Sequence, residues 1–379
     1  MYDVVIAGAG PVGSAAAEEC ARLGLSTLCI EEHGTIGHPV QCAGLLSNAA
    51  FAECRVAERS VMNRVTGARI IAGEEKILID ARKTMACVVD RSALDSEMAG
   101  HAADRGAEFQ LRTSACGVRG NILLTRGVNG HDEIPFRILI AADGPRSSIA
   151  RYLGMERARL FLAGIQADVP FSSDPRYVEL HPDAAPDFFG WAIPASPGIT
   201  RIGMCTGSDV PGRFEAFRKK FGENSLHLVT GTLPLGVMPK TFGHRTLFVG
   251  DAAGFPKPTS GGGIYTGVRS ARHAAAVAAE ACESDRFDDT VLAGYERRWQ
   301  ADFGSELDLG FRLLGMRQRM TPADVQAIVA ALDDPEIIRT IEEYGDMDRP
   351  GTVVKKLLFK PGMFRLLGPL LATGLRSFF

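Results

Sequence analysis

The alternation of apolar and polar positions divides the chain into three stretches. Val4-Val5-Ile6-Ala7 is a short continuous apolar run, the pattern of a strand buried on both faces. Small residues then recur at helical spacing from Ser14 to Leu23, and Gly24 offers a stop. Thr27 to Ile30 reads as a second buried strand, and two further runs of this kind lie downstream, Phe136 to Ala142 and Thr246 to Val249. Between Val61 and Val89 the pattern is of short strands with turn signals at Gly67 and Gly73-Glu74-Glu75. A helix capped by Asp90 or Ser92 runs to Ala103 and closes at Gly106, and Ala107 to Val118 returns to strand. From Leu160 to Leu235 alternating segments are split by proline and glycine pairs, which predicts a mainly antiparallel domain. An alanine-rich helix, Tyr265 to Ala281, follows, and Asp289 to Phe379 reads as helical with an apolar tail. The expected fold is α/β: a discontinuous Rossmann-type domain over 1–155 and 240–290 with a small β insertion near 60–90, a mainly antiparallel β domain over 156–239, and a helical C-terminal region over 291–379.

Composition narrows this only a little. The 379 residues suffice for two or three domains and a sizeable core. A net charge of −3 gives no electrostatic case for nucleic acid as a partner. Eight cysteines (Cys20, Cys29, Cys42, Cys54, Cys87, Cys116, Cys205 and Cys282) contain no C-x-x-C pair, so neither a zinc site nor a redox dithiol is signalled and a reducing compartment is expected. The histidines form no spaced ligand set, no metal is expected, and surface or cap positions are anticipated for them. Met1 stands directly before the first strand, so no signal peptide is expected, and no run has membrane-spanning length. Any membrane contact would therefore be peripheral.

Candidate chemistry begins where the first strand ends. Gly8-Ala9-Gly10-Pro11-Val12-Gly13 is a G-x-G-x-x-G between strand and helix. Gly8 would allow the tight bend, Gly10 the approach of a pyrophosphate, and Gly13 close packing of helix on strand. The helix start suits an anion, and Glu31, about twenty residues on, stands where an acid takes ribose hydroxyls. Two more buried strands end in the same way, at Asp143-Gly144 and at Gly250-Asp251. Parallel sheets bind ligands at the carboxyl ends of their strands, so the three segments should converge on one crevice. The loop from His33 to Gly44 follows the ribose-binding position and can reach the far end of a dinucleotide. Ser260-Gly261-Gly262-Gly263-Ile264 leads into the alanine-rich helix.

This order of motifs, G-x-G-x-x-G, then D-G-x-x-S from Asp143 to Ser147, then G-D-A-A-G with glycines behind it, resembles the FAD-dependent oxidoreductases of the p-hydroxybenzoate hydroxylase fold. The resemblance implies FAD, with Asp251 on a ribityl hydroxyl and Gly261, Gly262, Gly263 and Ile264 setting a helix N-terminus at the pyrimidine end of the flavin. Within that fold, Pro39-Val40-Gln41-Cys42-Ala43-Gly44 is similar to the P-x-x-C-A-G loop of geranylgeranyl reductases. Phe189-Gly190-Trp191-Ala192-Ile193-Pro194 is similar to their Y/F-x-W-x-F-P segment, and Pro256 to Gly263 to their flavin loop. Ile193 replaces the usual phenylalanine, and Gln41 stands where many members carry arginine. The likeness runs from Met1 to about Trp299, and the archaeal members that saturate the isoprenoid chains of ether lipids are nearest in pattern.

Family membership would make Cys42, Ala43, Gly44, Arg91, Asp143, Gly144, Gly250 and Asp251 cofactor contacts, alongside Gly8, Gly10, Gly13 and Glu31. It would make Phe189, Trp191 and Pro194 contacts of a prenylated lipid. Saturating an isolated alkene needs a hydride at one carbon and a proton at the other, with no carbonyl to polarise the bond. A reduced flavin would supply the hydride, and the protein orientation and a dry apolar pocket. Cys42 would serve either as proton donor or as a small group shaping the pocket. The electron donor stays open among NADPH, ferredoxin and a reduced deazaflavin. A flavin monooxygenase and a flavin-free prenyl-lipid escort protein are the competing functions. The tail from Val353 mixes bulky apolar residues with Lys and Arg, contains no acid, and is interrupted by Pro361 and Pro369. It reads either as a membrane-interface segment of a protein on the cytoplasmic face of the membrane or as a packed terminal helix.

Overall fold

A computed structural model describes residues 1–357 and 360. The chain opens with β1 (Tyr2–Ala7), α1 (Pro11–Arg22) and β2 (Thr27–Ile30). After the long loop come β3 (Leu45–Ser47), α2 (Asn48–Cys54), β4 (Val61–Val65), β5 (Gly67–Ala72), β6 (Glu75–Asp80), β7 (Ala86–Val89) and α3 (Arg91–Asp104). Next are β8 (Glu108–Gln110), β9 (Ser114–Arg119), β10 (Ile122–Gly127), β11 (Gly130–Ala141) and α4 (Ser148–Tyr152). The middle of the chain supplies β12 (Leu160–Val169), β13 (Tyr177–His181), β14 (Gly190–Ser196), β15 (Ile199–Thr206), α5 (Val210–Arg218) and β16 (His227–Leu235). β17 (Phe242–Gly243) and β18 (Thr246–Phe248) complete the strands. Helices α6 (Ile264–Glu283), α7 (Asp289–Trp299), α8 (Ser305–Arg317), α9 (Pro322–Leu332), α10 (Pro335–Tyr344) and α11 (Pro350–Leu357) follow, with one π turn, Gln300–Gly304, between α7 and α8.

The first sheet runs β17-β18-β11-β1-β2-β8, and β18, β11, β1, β2 and β8 are parallel. Its inner strands are apolar on both faces because helices cover both: Val4 to Ala7, Ile138 to Ala141 and Leu247-Phe248 are buried. Alanines make this packing close. Ala15, Ala16 and Ala17 of α1 and Ala271, Ala274, Ala275 and Ala278 of α6 belong to the same core as the strands. α1 begins at Pro11 rather than Ser14, since proline's fixed φ and missing N–H suit the first helical position.

Longer-range pairing departs from the sequence expectations. β11 is twelve residues long, and its polar outer half forms a hairpin with β10 that no apolar run announces. Ala107 to Val118 is two short strands, β8 and β9, not one. Gly67 is not a turn residue. It opens β5, where a Cβ would sit 1.9 Å from the Ile79 carbonyl oxygen, so glycine is needed for the close approach of β6. The insertion near 60–90 is also divided differently from the expectation. β5 and β6 join the second sheet, order β16-β12-β15-β14-β13-β5-β6, through a parallel pairing of β5 with β13. Every other pairing in that sheet is antiparallel. β3, β7 and β4 form a small third sheet. His181 is buried, 3% exposed, against Phe217 and Phe221 with Nε2 3.3 Å from Glu179, and is not the surface histidine anticipated. Among the described residues no helix is long and apolar enough to cross a membrane. Of the basic apolar tail, only the stretch to Leu357 and Lys360 falls within the described residues.

Candidate active site

Sheet order alone brings the strand ends together, because β18, β11, β1 and β2 are consecutive neighbours. Contacts across the turns fix the rest. Gly8 has φ +100°, and a Cβ there would fall 2.4 Å from the Ala142 carbonyl oxygen. A Cβ at Gly13 would fall 1.8 Å from the Gly8 oxygen. Both glycines are therefore demanded by protein packing. Gly10 is different: a Cβ there would meet nothing within 4 Å, so the protein itself leaves this position open. No side chain caps α1, whose first helical bond runs from Ser14 N–H to Gly10 O at 2.9 Å. The N–H groups ahead of that bond are left for a ligand.

The acids of this crevice divide into engaged and free. Glu31 follows β2, with Oε2 accepting from the Ala9 N–H at 2.9 Å and Oε1 from the His33 N–H and ring. It anchors the glycine turn and keeps lone pairs to spare. Asp143 turns its carboxylate into its own loop, accepting from Ser147 Oγ, Ser148 Oγ and the Ile149 N–H. Burial raises its pKa against those hydrogen bonds. Its carboxylate thus shapes the start of α4, and the open positions at this strand end are backbone, at Gly144 with φ +75°. The Asp251 carboxylate accepts no hydrogen bond from any described residue, its backbone carbonyl alone being engaged by the Gly254 N–H at 3.0 Å. Burial pushes its carboxyl up to about 6, with the charge of Arg91 pulling the other way. Gly250, φ +56°, packs on Val12 of the first turn, and a Cβ on Gly263 would come 2.9 Å from Asp251 Oδ1. Gly263 is the uncapped start of α6, with Ile264 its first residue, and Gly261, φ +72°, abuts Leu233 and Phe188.

Arg91 opens α3 and holds Asp95 through two bonds, 2.9 and 3.0 Å. Burial would lower its proton affinity, but Asp95 and Cys42 beside it hold it well above the ordinary value. Arg91 thus lies near both the Cys42 loop and Asp251. The loop itself is clamped from the second sheet. Gln166 Nε2 donates to the Cys42 carbonyl oxygen at 3.0 Å, and Arg201 Nη1 to that of Ala43 at 3.0 Å. Arg201 is in turn paired with Asp168. Gly44, φ +74°, passes so close to β7 that a Cβ would lie 2.5 Å from the Val89 oxygen, and its N–H points to Cys42 Sγ at 3.4 Å.

Of the expected lipid contacts, Phe189 and Trp191 lie together, ring centroids 6.2 Å apart, in an apolar cluster with Leu233, Leu235, Phe311 and Leu314. Trp191 also reaches the cluster that holds Ala43, and its Nε1 is buried without a partner. Pro194 is buried in β14, with its carbonyl accepting from Asn63 Nδ2 at 2.9 Å. Gln166, Asp168 and Arg201 escaped the sequence reading. Their one signal is polar and charged residues inside apolar strands, and only the β12–β15 pairing shows that they serve one loop.

The FAD-binding domain family matches residues 1–206. This chain belongs to that family. FAD is its cofactor, and the site fits it: an open cradle at Gly10, an unpartnered carboxylate at Asp251, and two uncapped helix starts facing the same crevice. Relatives of this FAD-binding protein include digeranylgeranylglycerophospholipid reductase 2 of Methanothermobacter thermautotrophicus, 30% identical over 92% of this chain and 98% of the relative. A digeranylgeranylglycerophospholipid reductase of Thermoplasma acidophilum is 30% identical over 90% and 99%. The crystal structure of a geranylgeranyl bacteriochlorophyll reductase-like protein from Thermoplasma acidophilum superposes with a TM-score of 0.84, 26% identity, and coverage of 94% and 98%. A p-nitrophenol 4-monooxygenase from Pseudomonas putida shares the fold at a TM-score of 0.70 and 17% identity, covering 90% and 96%.

Proposed function

We propose that this protein is an FAD-dependent reductase that saturates the C=C bonds of geranylgeranyl chains on ether-linked membrane lipids. The observation that carries the reading is the Cys42–Gly44 loop. Gln166 and Arg201 hold it from the second sheet, Arg91 stands behind it beside Asp251, and its apolar side meets Trp191. The names of the relatives support the same substrate class.

When bound, reduced FAD supplies the hydride to one alkene carbon. The chain's own residues do the rest. Asp251 would accept from a ribityl hydroxyl and the uncapped α6 start would hold the pyrimidine end, orienting the cofactor. Phe189 and Trp191 offer an apolar surface to the prenyl chain and exclude water. Cys42 would either hold at Sγ the proton for the carbon opposite the hydride or shape the pocket as a small group. The lipid is reached from a membrane surface, to which the basic apolar tail attaches. NADPH, ferredoxin or a reduced deazaflavin delivers the electrons.

Mass spectrometry of digeranylgeranylglyceryl phosphate incubated anaerobically with dithionite-reduced protein tests the reading. A gain of two hydrogens per double bond is expected. Unchanged lipid with flavin-loaded protein sinks it, and an oxygenated product formed only in air assigns the chain to the monooxygenases instead.

A further inference from the structure

Ionised pairs are seldom fully buried, since each charge gives up its hydration. One such pair lies directly behind the glycine loop. Lys257 and Asp348 have side chains 7% and 2% exposed. Lys257 Nζ donates to Asp348 Oδ1 and, at 2.8 Å, to the Met347 carbonyl oxygen, while Asp348 Oδ2 accepts from Ser47 Oγ. The lysine backbone also organises the loop. Its N–H donates to the Gly262 carbonyl at 3.1 Å, and its carbonyl accepts from Ser260 and Gly261 at 3.2 and 2.7 Å. A Cβ at Gly262 would lie 3.5 Å from Nζ, so the ammonium sits against the loop assigned to the pyrimidine end of the flavin.

The counter-charge comes from far along the chain. Asp348 lies between α10 and α11, in a segment held at several points. Arg349 donates to the Tyr265 hydroxyl at 3.3 Å, and the Gly351 N–H to Glu306 at 2.8 Å. Met347 packs in the cluster that contains Ala43, Leu45 and Trp191. The same segment therefore neutralises Lys257 and walls the space beside the Cys42 loop.

We propose that Lys257 and Asp348 are a positioning pair that sets the reduction potential of the bound flavin, with the C-terminal segment supplying the counter-charge. Two-electron reduction places negative charge on the flavin ring, which an uncompensated ammonium would favour. Asp348 cancels that effect and keeps the potential low. A low potential makes the reduced flavin the stronger hydride donor, as an unactivated alkene requires. The segment that walls the Cys42 loop thus also strengthens the reductant. The inference rests on FAD lying against Gly261–Gly263, and not on which alkene is reduced.

The test is the midpoint potential of protein-bound FAD, measured anaerobically against reference dyes. Asp348→Asn leaves the ammonium uncompensated and should raise the potential, with about a tenfold change in relative affinity for reduced over oxidised flavin, or ~30 mV for the two-electron couple. Lys257→Gln keeps donors for Asp348 and Met347 but removes the charge, and should lower it by a similar amount. Lys257→Met/Asp348→Leu removes both charges and should stay near wild type. Single variants that shift in the same direction, or hold FAD with an unmoved potential, overturn the proposal, as does a double variant shifted as far as Asp348→Asn. If Asp348→Asn fails to fold, Lys257→Gln decides alone: a raised or unchanged potential refutes it. A wild-type protein that binds no FAD sinks both this inference and the reading it rests on.

Discussion

Single atoms separate the glycines of the first turn into two kinds. Gly13→Ala drives a methyl into the Gly8 carbonyl and should destabilise the protein by about 1–3 kcal/mol or more in denaturant unfolding. Gly10→Ala meets no protein atom, so its unfolding curve without cofactor should match wild type while FAD binding falls; FAD bound as tightly as in wild type would show that no ligand approaches there. Asp251 gives a pH signature. Its carboxyl sits raised at about 6, so the protonated form stabilises the cofactor-free protein below the ordinary carboxylate range, and that contribution is lost as pH rises through about 6. If a ribityl hydroxyl donates to the ionised form, FAD binding releases a proton and affinity should increase with pH up to about 6 and then level. Asp251→Asn should flatten this dependence. Asp251→Ala should weaken FAD by on the order of tenfold to a hundredfold, read by flavin fluorescence. At Cys42, substitution by alanine should slow chain saturation on the order of a hundredfold, with serine retaining more and FAD content intact in both. A wild-type rate for Cys42→Ala would leave the thiol a packing role only.

At the scale of elements, the loop from His33 to Gly44 shows how a segment without regular structure is held. Its ends are tied by backbone bonds, Val89 N–H to Gly44 O at 2.8 Å and Arg112 N–H to His33 O at 3.0 Å, while its carbonyls at Cys42 and Ala43 are satisfied by side chains from β12 and β15. Arg201→Ala removes one donor and leaves Asp168 without its guanidinium. The expected cost is about 1–3 kcal/mol in stability, with FAD occupancy retained and lipid turnover impaired. Loss of FAD together with turnover would mean the clamp supports the whole crevice rather than this loop. The same logic explains β11. Its inner half is dictated by burial, whereas its outer half exists because β10 folds back and supplies hydrogen bonds.

Across the whole molecule, the described helices after α7 return to the cofactor crevice through Met347 and Asp348, and the basic apolar tail continues beyond them. Removing residues 358–379 should abolish co-sedimentation with anionic liposomes and spare FAD binding; unchanged sedimentation would assign membrane contact to another surface. Local pattern determined the dinucleotide turn, the two-face-buried strands, the alanine helix and the Gly250-Asp251 corner, because each is a short-range device whose residue types follow from backbone geometry and burial. Only tertiary structure decided that β5 and β6 belong to the second sheet, and that Gln166, Arg201 and Asp348 converge on the crevice. Those facts depend on strand pairings and ion pairs between residues tens to hundreds of positions apart. Such a pairing leaves no period in the local pattern, since its energy comes from a partner that folding alone brings near.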